Sequence, residues 1–251
     1  MSNKTDETTW AGKARLVFVE QRLWWHGELR RADVTARFGV SPAQASSDIS
    51  RYLELNPGAA GYNTRRKIYE GTEGMVCILH EPGLDDILAP QSQPQGRPTQ
   101  YWPRRCATKD VQRKLVIATR KGKLVRLGLA LAPNKVMDLN FLPSMLDVWE
   151  GRWYFRAWFV AGPSWITLPV DRIITANWPQ ETSISPPVDP DVTELVEVVV
   201  RLAEALDPKD SEQLQMDYNL TDAGTMKLRC RRAFRDEVVK RLPRGFELAQ
   251  H

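Results

Sequence analysis

Hydrophobic positions recur with a helical period at the start of the chain. Apolar residues spaced three and four apart predict an amphipathic helix over residues 10–25, which Gly27 ends. The same spacing predicts a second, shorter helix over residues 31–38. Gly39 then supplies a tight turn, because a positive φ angle costs glycine little.

A third helix begins at the strongest helix-start signal in the chain. Ser41 is placed to cap its first turn, and Pro42 fits the first helical position. The side predicted to face the core carries Ala45, Ile49, Tyr52 and Leu53. The opposite side is small and polar, with Ala43, Gln44, Ser47, Ser50, Arg51 and Glu54.

Two short helices around Gly39 are typical of a helix-turn-helix, which places its second helix in the major groove of DNA. Small side chains let that helix approach the base edges, and Gln44 and Arg51 can bond to bases or phosphates. The alternative is a plain solvent-exposed helix, but a serine-rich face has poor helix propensity and therefore favours DNA contact. The predicted DNA-contacting residues of this helix are Ser41, Ala43, Gln44, Ser47, Ser50 and Arg51.

The sequence Asn-Pro-Gly at residues 56–58 ends the third helix, and a β-hairpin is predicted after it, between Tyr62 and Tyr69. Three basic residues occupy its turn: Arg65, Arg66 and Lys67. This is the pattern of the wing in a winged helix, and we expect the three side chains to lie near DNA phosphates or the minor groove. Residues 70–79 are predicted to form a closing strand.

Positive charge is concentrated in the middle of the chain, although the net charge of the whole is only +4. Residues 97–135 contain eleven Lys and Arg against one acid, Asp110. Such a block favours an anionic partner, and the alternative is a solvated basic linker. Prolines and polar residues predict a linker over 86–105, and helical spacing predicts a helix over 108–120.

The pattern becomes β-like after residue 123. Five short strands separated by turn signals are predicted at 124–131, 136–146, 152–160, 164–168 and 173–178. Closely spaced short strands that follow one helix are typical of a small curled barrel.

The strand at 152–160 carries the candidate chemistry of this region. Alternation predicts a core face with Trp153, Phe155, Ala157 and Phe159. The other face then carries Arg152, Tyr154, Arg156 and Trp158. Two arginines around a tyrosine can hold a phosphate or a stacked base, and Arg172 adds a third arginine. The alternative is an outer barrel face with surface arginines.

A β-α-β-α unit is predicted at the end of the chain, after a second linker at 181–190. Its elements are a strand at 195–202, a helix from 208 to about 218, a strand at 225–230 and a helix at 231–242. Such a unit is small for an independent domain, so we expect it to pack on another subunit.

Composition and residue types argue against several classes of protein. No apolar run is long enough to cross a membrane, and the polar first residues do not form a secretory signal. The three cysteines and three histidines are widely scattered, so we expect neither disulfides nor a metal site. We find no catalytic constellation and no cofactor motif, and we therefore predict that the protein is not an enzyme and has no cofactor. We also predict that it is cytoplasmic and associated with the nucleoid.

Three stretches of the chain carry a resemblance to a known family. They are residues 40–49, 152–158 and 228–233, with supporting matches at 67–69, 171–173 and 216–218. In this order they resemble the winged helix, the WYL core and the C-terminal extension of the WYL-domain transcriptional regulators. The closest resemblance is to the BrxR/CapW group, whose members are found beside phage-defence operons.

Together with the patterns above, the resemblance implies an α+β, multidomain chain. The implied parts are a disordered tail at 1–9, a winged helix-turn-helix domain at 10–85, an Sm-like small β-barrel (the WYL domain) at 106–180 and a C-terminal dimerisation domain at 191–251. It also implies a homodimer whose repression is relieved by a nucleic acid or a nucleotide. Matching positions suggest these ligand-binding residues: Ser144, Arg152, Tyr154, Arg156 and Arg172.

Two departures from the family pattern remove part of the polar pocket. Where the group often has Tyr-x-Ser in the first barrel strand, this chain has Leu127-Gly128-Leu129. Where the group often has Pro-His-Ala-Leu, this chain has Pro143-Ser144-Met145-Leu146. The resemblance therefore implies either a different ligand or a degenerate sensor.

Two hypotheses of different classes follow. The first is a homodimeric repressor that binds an inverted repeat in double-stranded operator DNA and senses a ligand through the WYL domain. The second is an adaptor that binds single-stranded nucleic acid, with the winged helix contacting proteins. The basic block fits both hypotheses, whereas the small polar face of the third helix favours the first.

Overall fold

The computed structural model of the chain describes residues 10–88, 106–149 and 151–249. They form two compact units, of which the first runs to residue 163 and includes 168–183, and the second holds the remainder. The predicted tail at 1–9 and most of the predicted linker at 86–105 lie outside the described residues. None of the helices described is long and apolar enough to cross a membrane.

Three helices open the first unit where the periodicity predicts them. They are α1 (Trp10–His26), α2 (Arg31–Phe38) and α3 (Pro42–Leu55). Gly39 ends α2 with a φ angle of 65°. The backbone N–H of Gln44 donates to the Ser41 hydroxyl at 3.1 Å and thereby caps α3. The predicted turn and start signals are confirmed.

A small antiparallel sheet follows these helices. Its strands are β1 (Glu28–Leu29), β2 (Ala60–Asn63) and β3 (Ile68–Gly71), in the order β1-β3-β2. The wing hairpin is confirmed, with Tyr62 opposite Tyr69. The predicted closing strand at 70–79 is wrong, because β3 ends at Gly71 and the amides of residues 78–80 donate to the Glu20 carboxylate instead of to a strand. A single helical turn, α4 (Asp85–Leu88), comes next.

A helix and a larger sheet follow, and they belong to the first unit except for residues 164–167 of the sheet. The helix is α5 (Lys109–Lys121), capped by Thr108, and it packs on the sheet and on α1. The strands are β4 (Val125–Ala132), β5 (Lys135–Trp149), β6 (Arg152–Phe159), β7 (Ser164–Pro169) and β8 (Ile173–Ala176). Their order is β7-β6-β5-β4-β8, so β7 and β8 are the edges. Among the described residues the sheet is open, and the predicted barrel closure is not confirmed.

Arg113 of α5 joins the helix to the end of the wing. Its side chain is buried, and its guanidinium donates to the backbone carbonyls of Thr72 at 2.7 Å and Glu73 at 3.0 Å. The same guanidinium lies 4.7 Å from the ring centroid of Trp24 and 5.1 Å from that of Trp178. Burial lowers the pKa of Arg113 to about 10, which still leaves it charged at neutral pH. A planar cation between two indole rings thus connects α1, the wing and the segment after β8.

The second unit contains a three-stranded antiparallel sheet. Its elements are β9 (Leu195–Leu202), α6 (Pro208–Asp217), β10 (Thr225–Arg231), α7 (Arg235–Val239) and β11 (Phe246–Leu248), with strand order β10-β9-β11. The predicted β-α-β-α order is confirmed but incomplete, because β11 adds a third strand. The predicted helix at 231–242 is wrong in extent: β10 reaches Arg231, a 3₁₀ turn spans Arg232–Phe234, and only then does α7 begin.

We expect Arg113→Lys to lower the free energy of unfolding by about 2 kcal/mol, because a lysine keeps the charge but loses the flat stacking surface and the fixed pair of donors. Urea denaturation followed by tryptophan fluorescence measures this change. Arg126→Lys is the matched control, since Arg126 is exposed and its ion-pair partner within the described part of the chain is the exposed Asp138. It should change stability by less than about 0.5 kcal/mol. Equal effects of the two variants would contradict the role given to Arg113.

Candidate nucleic-acid interface

Two buried polar contacts fix the direction of α3 against α1. Arg15 donates from Nε to the Asp48 carboxylate at 2.6 Å, and Asp48 is only 6% exposed. One turn further along α3, the Tyr52 hydroxyl donates to the carboxylate of Glu20 at 3.1 Å. Both contacts lie on the inner side of α3, beside the buried Ile49. The helix therefore has one face held against α1 and one face turned outward.

The outward face of α3 is the one that the sequence predicts. Ser41, Ala43, Gln44, Ser47 and Ser50 are exposed, and Arg51 is half-buried. Gln44 donates from its side-chain amide to Asp48 at 3.1 Å, so one of its donors is occupied in the free protein. Small residues line the rest of the face, which leaves room for a close approach to base edges. Contact between these residues and DNA stays a prediction.

The wing turn does not present its three cations equally. Arg65 and Lys67 are exposed at the tip, where Lys67 has a φ angle of 53°. Arg66 instead pairs with Glu70 at 2.8 Å and Glu28 at 3.2 Å. To reach a phosphate, Arg66 would first have to leave two carboxylates, whereas Arg65 and Lys67 have no ion pair with any residue that the structure describes.

The basic block is largely engaged within the fold. Buried Lys114 donates to the backbone carbonyl of Ala176 at 3.1 Å, and buried Arg113 has the contacts given above. Further cations of the block form ion pairs, which are Lys114–Asp110, Lys121–Glu28, Lys123–Glu181 and Arg126–Asp138. Over its described residues, most cations of the block therefore have partners within the protein, which neither sequence interpretation includes. Residues 97–105 of the block lie outside the described residues.

The predicted ligand-binding residues of β6 lie inside the sheet. Phe155 and Ala157 are buried as alternation predicts, but Tyr154 and Arg156 are buried as well. Both sides of the strand are covered from Tyr154 to Ala157, whereas the predicted ligand-binding face and its alternative, an outer barrel face, both assume that the second side is accessible. Arg152 forms a bidentate pair with Asp171, at 2.7 Å and 2.6 Å. Ligand binding by these residues stays a prediction.

Two further ligand candidates lie outside this cluster. Ser144 is exposed at a β-bulge between β5 and β6, and its hydroxyl donates to the Arg156 carbonyl at 3.2 Å. Arg172 is exposed beside β8. Leu127 and Leu129, which stand where the family often has polar residues, are buried in the core of the sheet. The missing polar groups are thus replaced by apolar packing.

Glu20, Cys77 and His80 bring ligand-type atoms within 4.8 Å of one another. The Glu20 oxygens already accept the backbone amides of residues 78–80, the Tyr52 hydroxyl and the His80 Nδ1–H. Burial raises the pKa of Cys77 to about 12, so its thiol keeps its proton at neutral pH. These properties describe a structural hydrogen-bond network and not a metal centre.

His80 carries positive charge in this network. Its Nδ1 lies 2.8 Å from Glu20, and its Nε2 lies 3.6 Å from Asp86. Burial alone would lower the pKa of His80, but the two carboxylates, Asp86 foremost, raise it to about 9. Asp86 also accepts the indole N–H of Trp25 at 3.1 Å, so the network fastens the segment after the wing to α1.

Comparison with known proteins agrees with this architecture at the N-terminal end. The family model of the BrxR transcriptional regulator winged helix-turn-helix domain matches residues 12–92. Across the chain, the DNA-binding transcriptional repressor CapW of Pseudomonas aeruginosa is 26% identical over 240 residues, which cover 89% of this chain and 80% of that protein. The chain is thus BrxR-like over its winged helix and CapW-like over nearly its whole length.

Further relatives of the same kind support this assignment. CapW of Escherichia coli (strain KTE188) is 25% identical over 89% of this chain and 80% of its own length. CapW of Stenotrophomonas maltophilia is 26% identical over 92% of this chain and 83% of its own length. Each of these relatives is named a DNA-binding transcriptional repressor, and none is named as an enzyme.

One solved structure also shows a weak likeness. Proteasome accessory factor B/C (PafBC) of Arthrobacter aurescens matches 96% of this chain at 14% identity, with a TM-score of 0.30. The chain spans 46% of that protein. A likeness at this level supports no argument about fold or function.

We expect the stability of the protein to fall as pH rises from about 6.5 to 9. His80 has a folded-state pKa of about 9 and an ordinary pKa of 6.5, so the native state holds a proton that the unfolded state has lost. This contribution is complete below pH 6.5 and disappears as pH rises through 9. Urea denaturation at several pH values measures the slope, which His80→Gln should flatten.

His26→Gln is the matched control for the pH experiment. The pKa of His26 is lowered to about 4 by burial and by Arg120 and Arg22. It is therefore neutral in both states above pH 6.5 and adds no slope there. A slope that vanishes in the His26 variant, or persists in the His80 variant, would contradict the assignment.

Proposed function

We propose that this chain is a DNA-binding transcriptional repressor that reads its operator with the outward face of α3. The observation that carries the proposal is the anchoring of α3. Asp48 and Tyr52 hold the inner face of this helix to α1, so its small, polar outer face points away from the core of the domain. The BrxR-type winged helix domain and the CapW relatives support the same function.

In this proposal, α3 and the wing contact different parts of the DNA. Side chains of α3 read base edges in the major groove, and the exposed Arg65 and Lys67 of the wing bind phosphates or enter the minor groove. The protein acts as a homodimer on an inverted repeat, since two copies related by a twofold axis present two recognition helices. Its place of action is the cytoplasm, at operator DNA of a phage-defence operon.

The remaining parts regulate this activity. Residues 106–180 are a WYL domain related to Sm-like barrels, and residues 191–251 form the dimerisation domain. A nucleotide or a single-stranded nucleic acid relieves repression by binding near Ser144 and Arg172, the two ligand candidates that are exposed. Because Tyr154 and Arg156 are buried, their contribution requires the sheet to open, or is limited to holding the strand.

The double variant Gln44→Ala/Arg51→Ala tests the reading face. We expect at least a tenfold loss of affinity for the DNA upstream of its own gene, because each base contact is worth about 1–3 kcal/mol. Gel shifts with this DNA and with an unrelated duplex measure affinity and specificity. Glu54→Ala, at an exposed position of the same helix, is the control and should bind at least as tightly as the parent. Unchanged affinity and specificity in the double variant would show that the assigned face is wrong.

The same gel shifts separate the repressor from the single-stranded adaptor. If the chain is a ligand-controlled repressor, short single-stranded oligonucleotides or nucleotides release it from the duplex. If it is an adaptor, it binds the oligonucleotide and ignores the duplex at every salt concentration.

The wing makes a separate prediction about charge. Arg65→Ala and Lys67→Ala should each weaken binding to all duplexes alike and reduce the slope of log affinity against log salt by about 1, since each removes one phosphate contact. Arg66→Ala is the internal control, because its ion pairs with Glu70 and Glu28 oppose its transfer to DNA. We expect it to change the slope least. Fluorescence anisotropy over a range of salt concentrations measures all three variants, and an equal effect of Arg66 would contradict the geometry of the wing.

A further inference from the structure

A cleft of about 790 Å³ lies between β1, β3, the end of α5 and residues 178–181. Its lining is rich in cations: Arg22, Arg66, Arg120, Lys121 and Lys123. Three acids also line it: Glu28, Glu70 and Glu181. None of the ligand candidates of the large sheet contributes to this lining. The cleft is therefore a different place from the predicted sensor pocket, and its volume is in the range of small-molecule sites.

The acids of the cleft already have cationic partners. Glu70 pairs with Arg66 at 2.8 Å, and Glu181 pairs with Lys123 at 2.7 Å. Glu28 lies between Arg66, at 3.2 Å, and Lys121, at 3.5 Å. These pairs leave the end of the cleft where α1 and α5 meet with an excess of positive charge.

At that end, two guanidinium groups contact one imidazole ring. The Nη1 atoms of Arg22 and Arg120 lie 3.0 Å and 2.9 Å from His26 Nδ1. Arg22 also pairs with Asp33 at 3.2 Å, but Arg120 is exposed and has no acidic partner among the described residues. Two like charges are thus held together around a ring that contributes no negative charge.

The imidazole cannot satisfy both arginines. Burial and the charges of Arg120 and Arg22 lower the pKa of His26 to about 4, so the ring is neutral at physiological pH. A neutral imidazole has one acceptor nitrogen, and therefore only one of the two guanidinium groups can donate to the ring at a time. An anion with several oxygens would satisfy the second group and reduce the repulsion between the two cations.

We infer that this cleft binds a phosphate group, held by Arg120 and Arg22 beside His26. A phosphate offers several acceptor oxygens and matches the planar fork of a guanidinium. Trp178, whose ring is fixed against Arg113 at 5.1 Å, adds an aromatic surface to the same lining. The phosphate can belong to a small phosphorylated molecule or to the DNA backbone, and the two sources are distinguished below.

The first experiment tests whether the phosphate belongs to a small molecule. It uses no DNA, so its result does not depend on the proposed function. Isothermal titration of the full chain uses pyrophosphate and thymidine 5′-monophosphate as probes, with thymidine as the probe that lacks phosphate. We expect the parent to bind the phosphorylated probes and not thymidine. Arg120→Gln should bind them at least about tenfold more weakly, since it loses a charge-assisted hydrogen bond.

Two further variants control this arm. Lys135→Gln removes another exposed cation of the same basic block, outside the cleft, and should bind like the parent. Arg120→Lys keeps the charge but not the fork, and we expect intermediate binding. Thermal unfolding of each variant checks that it is folded. If Arg120→Gln fails to fold, Arg120→Lys decides the question, and parent-like binding by it overturns the role of the fork.

The DNA arm identifies the other source. If the phosphate belongs to the backbone of bound DNA, pyrophosphate and the nucleotide do not bind, and Arg120→Gln reduces the salt slope of duplex binding by about 1 while Lys135→Gln does not. If Arg120→Gln changes neither binding of the phosphorylated probes nor the salt slope, the inference is overturned. A parent that binds the probes but no duplex would refute the proposed function and leave this site intact.

Discussion

The N-terminal domain depends on the buried carboxylate of Glu20. It lies on the inner side of α1, fully buried, and receives hydrogen bonds from Tyr52 of α3 and from the amides of residues 78–80. A charged carboxylate at this depth is tolerated only with such donors, because an unpaired buried charge costs several kcal/mol. Burial alone would raise the pKa of Glu20, but these bonds and His80 hold it below its ordinary value. The Glu20 carboxylate therefore fixes both α3 and the segment that follows the wing.

Local signals in the sequence predict the elements that depend on local physics. The helix starts at Ser41 and Thr108 and the turn at Gly39 are confirmed, because capping and positive φ are properties of a few adjacent residues. Residues 70–79 are different. Their composition suits a strand, but the acceptor of three of the amides that follow the wing comes from α1, about 60 residues earlier in the chain. The only sequence signal for this contact is a glutamate within the apolar stripe of α1, at position 20.

The charge distribution and the alternation of apolar residues predict the contacts of the central sheet less well. The partners of a charged or buried side chain in this sheet are remote in sequence. The basic block predicts an anionic partner only if its cations are unpaired, whereas Lys123 and Arg126 meet acids of the same unit. Alternation in β6 assumes one covered face, and the burial of Tyr154 and Arg156 shows two. The short strand β11 has three residues, too few for a period to be read. The outward face of α3 was predictable because the helical period alone sets it.

The contacts of α5 restrict how a ligand can control DNA binding. Arg113 ties this helix to the chain just after the wing, and Arg120 meets α1 at His26, while the opposite side of α5 packs on β5 and β8. A tilt of α5 relative to the winged helix would have to displace Arg113 from between Trp24 and Trp178 and break its hydrogen bonds to the backbone after the wing. The winged helix, α5 and strands β4, β5, β6 and β8 of the sheet belong to one compact unit, and Arg113 lies where they meet. In a dimeric repressor built from this chain, a ligand on the sheet would act by changing the spacing of the two recognition helices, and not the shape of either winged helix.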